Sequence, residues 1–121
     1  MFNISNNGII TVSRGDNFTV PLFINQGTEL NPIRFTIGEN CEVYLGIMEP
    51  NQKFEDALIK KRYTTKSLNK NGDIVVSIKH QDTACLVPGK YFYEFKLRAL
   101  NPDTNEYEIN TIIPKKEFNI I

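Results

Sequence analysis

Apolar residues recur at every second position along most of this chain, and turns rich in Gly, Pro, Asn and Asp interrupt the alternation. Residues 17–25 show it best, because the run that begins at Phe18 would place its apolar side chains on one face of a β-strand. Pro21 lies within this run and cannot donate a backbone hydrogen bond, so we expect this strand at a sheet edge or with a bulge. The chain shows no convincing amphipathic helix, whose apolar residues would recur roughly every 3.6 positions. The alternation therefore predicts a fold built almost wholly from strands.

Seven or eight strands are predicted, at spacings of roughly 10–15 residues, which is typical of a β-sandwich. Segment 41–48 is apolar on both faces, which favours a central strand, and segment 89–100 is expected to be the longest strand. One helical turn is expected over residues 81–86. The predicted strands lie within residues 8–13, 17–25, 41–48, 57–63, 74–78, 89–100, 107–113 and 118–121, the last two being separated around Pro114. Segment 33–37 is a weaker candidate for a short strand.

Length and charge limit the class of protein. The 121 residues have a mass of 13.9 kDa and fit one domain spanning residues 1–121. Lys and Arg total 14, as do Asp and Glu, so the net charge is zero. Binding driven by nucleic-acid phosphates or by an anionic membrane needs a positive excess, so we expect neither partner. We also expect no secretory signal and no membrane helix, since no apolar run approaches about 20 residues.

Few residues are suited to catalysis or metal binding. His80 is the only histidine, and although Asp82 lies nearby, no nucleophile accompanies the pair, so we interpret His80 as an exposed turn residue. A structural zinc site needs about four Cys or His ligands in paired spacings. Cys41 and Cys85 are the only cysteines and lie far apart, so two reduced thiols are expected. We therefore expect no enzyme activity, no metal and no other cofactor.

Aromatic residues at outward positions of the predicted strands are more informative. Phe23, Tyr44 and Phe92 are expected to face away from the first core layer. Their rings could provide contact area for a protein partner or a stacking platform for a carbohydrate, or they could pack against a second sheet, a loop or the C-terminal segment. The last strand is expected to run to the end of the sequence, which adds Ile120 and Ile121 to the candidate interface residues.

One motif pattern extends across residues 8–113. Gly-Asp opens an alternating strand, another strand ends in a Pro turn, and a Gly-Asp hairpin precedes a Pro-Gly-Lys-Tyr-aromatic strand. The segments that carry the pattern are RGDNFTVPL (14–22), VYLGIMEP (43–50), ALIKK (57–61), NGDIVV (71–76) and LVPGKYFYEFKL (86–97). This pattern resembles the N-terminal domain of phage baseplate upper proteins and related small virion proteins of gut phages. The resemblance implies an all-β fold, an immunoglobulin-like β-sandwich of seven to eight mostly antiparallel strands, and it transfers no catalytic residue.

Two functions remain open at this point. The resemblance implies a bacteriophage virion structural protein, assembled in the bacterial host cytoplasm, whose partners are other virion proteins and possibly further copies of itself. Because the sequence stops at Ile121, without the receptor-binding region that follows this domain in baseplate upper proteins, we expect an adaptor in the tail or baseplate or a decoration on the capsid. The alternative is a carbohydrate-binding β-sandwich, which would use Phe23, Tyr44 and Phe92 beside Asn25 and Gln26.

Overall fold

The computed structural model describes residues 2–5, 7–22, 30–31 and 37–121, and strands form just over half of these described residues. One short helix, α1 (His80–Ala84), and two 3₁₀ turns, at Phe54–Asp56 and Thr65–Ser67, accompany them. The strands are β1 (Phe2–Ile4), β2 (Ile10–Val12), β3 (Phe18–Leu22), β4 (Cys41–Met48), β5 (Ile59–Tyr63), β6 (Ile74–Ile78), β7 (Gly89–Asn101) and β8 (Glu106–Ile120). The all-β prediction is confirmed.

The described strands form two sheets. The larger sheet has six strands in the order β1-β2-β8-β7-β4-β5, and the smaller pairs β3 with β6. Every pairing is antiparallel except that of β2 with β8, which is parallel. The central position predicted for segment 41–48 is confirmed, because β4 lies between β5 and β7. Among the described strands, β3 has only one neighbour, which agrees with the edge position that Pro21 predicts.

Side chains from both sheets meet in one hydrophobic core. The alternation predicted for β6 is confirmed, because Ile74, Val76 and Ile78 are buried while the residues between them are partly exposed. Each face of a pleated strand takes every second residue, so one buried row per strand is enough to build the core. The larger sheet contributes mainly Val43, Leu45, Ile47, Tyr91, Tyr93, Phe95, Phe118 and Ile120.

The outer face of β4 is also covered, at a glycine. A Cβ atom at Gly46 would lie 2.7 Å from the Phe54 ring and 3.3 Å from the Ala57 Cβ, so the 3₁₀ turn packs directly against the strand backbone. Met48, two residues further along the same face, is fully buried. A glycine inside a strand often marks such a close approach. The covering turn explains why β4 is apolar on both faces.

Strand β8 departs most from the predictions. With 15 residues it is longer than β7, which has 13, so the expectation that segment 89–100 is the longest strand is wrong. The strand is also continuous through Pro114 rather than interrupted there. The register shifts on both sides of Phe95 in the partner strand, so that β8 accommodates extra residues and bulges. A bulge tolerates proline because the bulged residue need not donate a backbone hydrogen bond to the neighbouring strand.

The N- and C-terminal strands meet in a way that the alternation did not predict. Strand β1 is absent from the predictions because its three residues are too few to show a period, and it pairs with β2. The parallel pairing of β2 with β8 joins the two ends of the chain in one sheet. The predicted strand over residues 33–37 lies, apart from the buried Ile37, outside the described residues, as do residues 23–25 of the second predicted strand.

Three buried tyrosines differ in what their hydroxyl groups contact. Tyr91 donates to the carbonyl oxygen of Val87 at 2.6 Å, and Tyr93 donates to the carbonyl oxygen of Gly8. Tyr63, only 7% exposed, has a buried hydroxyl with no hydrogen-bond partner among the described residues. Burial, together with the charge of Asp82, raises the pKa of Tyr63 to about 12. A buried hydroxyl without a partner lowers the stability of the folded state, whereas a bonded one fixes the chain that it contacts.

We expect Tyr91→Phe to lower the free energy of unfolding by about 1 kcal/mol, because the carbonyl of Val87 loses its donor. The matched change Tyr63→Phe also removes one hydroxyl from a buried ring, and it should leave stability unchanged or raise it. Urea unfolding of both variants measures the difference. Equal losses in the two variants would contradict this account.

Substitution of Gly46 tests the covering turn. Gly46→Ala is expected to lower the free energy of unfolding by about 1–3 kcal/mol, because the added methyl group overlaps the Phe54 ring. In a Phe54→Ala background the same substitution should cost clearly less, since the overlapping ring is gone. A double-mutant cycle by chemical unfolding measures this coupling. Additive losses of stability would show that the Phe54 ring is not the cause of the cost of a methyl group at Gly46.

Candidate interaction surface

A group of charged and aromatic side chains lies on the outer face of the larger sheet. Pairing places Glu42 opposite Arg98 and Tyr44 opposite Arg62, and paired residues share a face. Tyr107, in β8, lies opposite Leu100, one position of the same face beyond Arg98. We call these five residues the Glu42 cluster.

Glu42 is the centre of the cluster. Its carboxylate accepts hydrogen bonds from the Tyr44 hydroxyl and from Arg62 Nη2. Arg98 Nη1 lies 3.8 Å from Glu42 Oε2, and the Arg98 guanidinium lies 3.6 Å from the centroid of the Tyr107 ring. A planar guanidinium stacks on an aromatic face in this way at little cost in solvation. The contacts hold side chains from four adjacent strands, β5, β4, β7 and β8, in one arrangement.

The pKa shifts in the cluster follow from these contacts. The hydrogen bonds from Arg62 and then Tyr44 hold the pKa of Glu42 at about 2, against an ordinary value of 4.5. The hydrogen bond to Glu42 raises the pKa of Tyr44. A carboxylate that is hard to protonate is a poor general base near neutral pH, and a phenol with a raised pKa is a poor acid. The cluster therefore suits recognition better than proton transfer, and its two arginines exceed its one carboxylate in charge.

The predicted interface residues lie at different places. Phe23 lies outside the described residues. Tyr44 is half-buried in the Glu42 cluster, and Phe92, also half-buried, lies on the same face but opposite Met48. Four residues of strand separate the rows of Tyr44 and Phe92, or roughly 13 Å, so these two rings do not form one stacking platform. Asn25 and Gln26, expected beside them, also lie outside the described residues.

The two C-terminal candidates differ in exposure. Ile120 is only 2% exposed and packs in the core opposite Val12, so its side chain is not available to a partner in this conformation. Ile121 is 55% exposed, and its backbone nitrogen donates to the carbonyl of Val12 at 2.9 Å. Of this pair, only Ile121 presents a side chain at the surface.

Strands β7 and β8 form a hairpin that extends beyond their neighbours. Strand β4 pairs with β7 only as far as Ala99, and the hairpin continues to the turn between Asn101 and Glu106. Here Tyr107 is 48% exposed and Ile109 is 63% exposed, on the same face as Arg98. Two exposed apolar residues therefore lie beside the Glu42 cluster on the outer face of the larger sheet.

Most of this surface was not predicted from the sequence, although the outward positions of Glu42 and Arg98 in predicted strands pointed to part of it. Glu42 and Arg98 fall at outward positions of predicted strands, but only the register shows that they are opposite one another. Tyr107 was placed in a predicted strand without a face, because the bulges in β8 change which residues face outward. Strand alternation gives the face of a residue but not its cross-strand neighbour.

An open apolar groove of about 420 Å³ lies between the two sheets. Val20 and Val76 of the smaller sheet line one side, and Phe95, Ile112 and Ile113 of the larger sheet line another. The smaller sheet has two described strands against six, so the described strands of the smaller sheet cover only part of the inner face of the larger sheet.

His80 and Asp82 do not form an acid–base pair. The Asp82 carboxylate accepts hydrogen bonds from Lys61 Nζ at 2.9 Å and from the backbone nitrogen of Lys79 at 2.8 Å. The backbone nitrogen of His80, which is exposed, donates to Asn17 Oδ1. Asp82 therefore fixes the start of α1 and ties it to β5.

Metal and membrane features were sought across the described ranges. Within them, no group of three or more His, Cys, Asp or Glu side chains is placed to hold a metal ion. No helix in the same part of the chain has the length and apolar character needed to span a membrane. Cys41 and Cys85 are free thiols.

Comparison of the chain with family models, with curated proteins and with solved structures finds no match. The resemblance to phage baseplate domains therefore stays a prediction from sequence motifs.

Neutralising Glu42 tests the electrostatic structure of the cluster. Because its pKa is lower in the folded state, ionised Glu42 stabilises the fold above pH 4.5, and this contribution is lost as the pH falls toward about 2. We expect Glu42→Gln to lower stability at pH 7 and to flatten the decline of stability between these pH values. Urea unfolding across this pH range measures both effects.

Glu55→Gln is a matched control, because Glu55 is an exposed glutamate outside the cluster. It should leave both the stability at pH 7 and the pH dependence nearly unchanged. Parallel pH profiles for the wild type and Glu42→Gln would show that the cluster does not hold Glu42 ionised.

Proposed function

We propose that the chain folds as an immunoglobulin-like β-sandwich. In that fold, strands G, F, C and C′ are adjacent in one sheet and strands B and E in the other. The order β8-β7-β4-β5 and the pairing of β3 with β6 correspond to these sets. The hydrogen bond from Tyr91, near the start of β7, back to Val87 corresponds to the tyrosine corner at the start of strand F. Both correspondences support the proposal.

We infer that the chain is a bacteriophage virion structural protein that acts through protein–protein contacts. It would serve as an assembly, adaptor or decoration module in the tail or baseplate or on the capsid. The motif resemblance supports this role, and its turn motifs fall at backbone positions that glycine suits: Gly15 and Gly72 both have positive φ. The resemblance is thus carried by residues that shape a scaffold rather than by reactive groups.

One structural observation supports the assembly role independently of the motif resemblance. The β7–β8 hairpin presents exposed Tyr107 and Ile109 next to the stacked Arg98, on a face whose charged groups are fixed by cross-strand contacts. Aromatic residues and arginine are the types enriched where proteins bind one another. A rigid surface also loses little conformational entropy on binding. The partners we propose are other virion proteins and further copies of this chain.

The experiment that tests the virion role is mass spectrometry of purified phage particles from a culture whose phage carries this gene. Heads and tails are separated first, so that the result also locates the protein. We expect the chain in a fixed ratio to a known head or tail protein. Its presence in the lysate but absence from the particles would contradict the role.

The surface has its own test in the same system. Arg98→Ala combined with Tyr107→Ala removes the stacked pair, and we expect the amount of this chain per particle to fall roughly tenfold or more. Val87→Ala is the matched control, because Val87 is exposed but lies outside the Glu42 cluster and the hairpin. Normal incorporation of a folded double variant would show that another surface makes the contacts.

A further inference from the structure

One edge of strand β8 lacks a neighbour in the described part of the chain. Strand β2 pairs with β8 only over Phe118–Ile120, and β8 begins twelve residues earlier in the sequence, at Glu106. Residues 106–111 are all exposed. A free strand edge presents backbone N–H and C=O groups that can pair with another strand. We call residues 106–111 the β8 edge.

Protection of this edge is uneven. Beyond Thr111 the register shifts, Pro114 lacks a backbone donor and Lys115 is exposed. Bulges, proline and charged side chains, lysine above all, are features by which proteins prevent strand edges from pairing. The β8 edge has no bulge, proline or lysine, its only charged residues are Glu106 and Glu108, and its pairing with β7 is regular from Asn101↔Glu106 to Lys96↔Thr111. The chain therefore blocks one part of the edge and leaves the adjoining part able to pair.

Charge along the hairpin favours a second copy in antiparallel orientation. Asp103, Glu106 and Glu108 lie at the turn end, whereas Lys115 and Lys116 lie at the other end. Antiparallel pairing of two copies brings the acidic end of each toward the basic end of the other. Parallel pairing would align like charges, which is unfavourable.

The register follows from faces and charges. In an antiparallel pair, opposed residues share a face of the sheet. A twofold axis between two copies must therefore lie at a residue that pairs with the same residue of the other copy. An axis at Glu108 would oppose two carboxylates, which is destabilising. An axis at Asn110 would pair only residues 109–111 of each copy within the regular segment 106–111. An axis at Ile109 opposes the two copies of Ile109 and places Tyr107 opposite Thr111.

We propose that two copies of this chain pair through their β8 edges, antiparallel and centred on Ile109. The pairing joins the larger sheets of the two copies into one continuous sheet. Ile109 and Tyr107 of both copies then lie side by side on the outer face, next to the Glu42 clusters. This inference deepens the proposed assembly role, because it names a second copy as the partner of the same surface.

Sedimentation and light scattering of the isolated protein over a concentration series test the pairing. The wild type is expected to move from 13.9 kDa toward twice that mass as its concentration rises. Ile109→Lys opposes two like charges at the axis, so the dimer dissociation constant should rise roughly tenfold or more. Ile109→Glu should weaken the dimer in the same way. Because Ile109 is 63% exposed, neither variant should lose its fold, which thermal unfolding verifies.

Mixing the two variants tests the register. Ile109→Lys and Ile109→Glu chains should form a heterodimer, since opposite charges then meet at the axis. Val87→Lys, at an exposed site outside the hairpin, is the control and should dimerise like the wild type. A wild type that stays monomeric, a dimer that Ile109→Lys leaves intact, or a mixture that stays monomeric would each overturn the proposal. A monomeric protein that is nevertheless found in particles would overturn the pairing and leave the virion role standing.

Discussion

Strand β7 pairs with β4 on one side and with β8 on the other, and this double pairing positions both the core and the outer surface of the larger sheet. The inward residues of β7, Tyr91, Tyr93 and Phe95, contribute to the core shared by the two sheets. On the outward side of β7, Lys96 lies over the Phe54 ring and Arg98 lies over the Tyr107 ring. Because a strand alternates its faces, any shift of β7 by one residue would exchange these two sets. Core packing and surface arrangement are therefore fixed by one register.

Much of this fold could be predicted from the sequence, and the rest required cross-strand information. Alternation located β4 to the residue and the buried face of β6, since both are local properties. The approach of Phe54 to Gly46 and the stacking of Arg98 on Tyr107 could not be predicted, because the contacting residues are brought together by the turn and by the register. Pro114 was expected to interrupt a strand, whereas a bulge accommodates it, a feature that depends on the opposite strand.

The candidate surface joins two physically different parts. The Glu42 cluster is a fixed set of cross-strand contacts, in which each charged group already has a partner inside the protein. The β8 edge beside it has no neighbouring strand among the described residues and presents exposed Ile109. A fixed face adjoining an open edge suits a building block, because the edge supplies hydrogen bonds and the face supplies a shape that changes little on binding. This combination supports the assembly role and needs no reactive group.

Amide hydrogen exchange of residues 106–111, followed by NMR, shows whether β8 is a strand paired on one side and open on the other. In dilute solution we expect protection to alternate along the segment, because successive amides point toward β7 and then toward solvent. The solvent-facing amides should gain protection as the concentration rises. Protection of every amide in dilute solution would show that the edge is already covered. Uniformly fast exchange would show that the hairpin is not formed there.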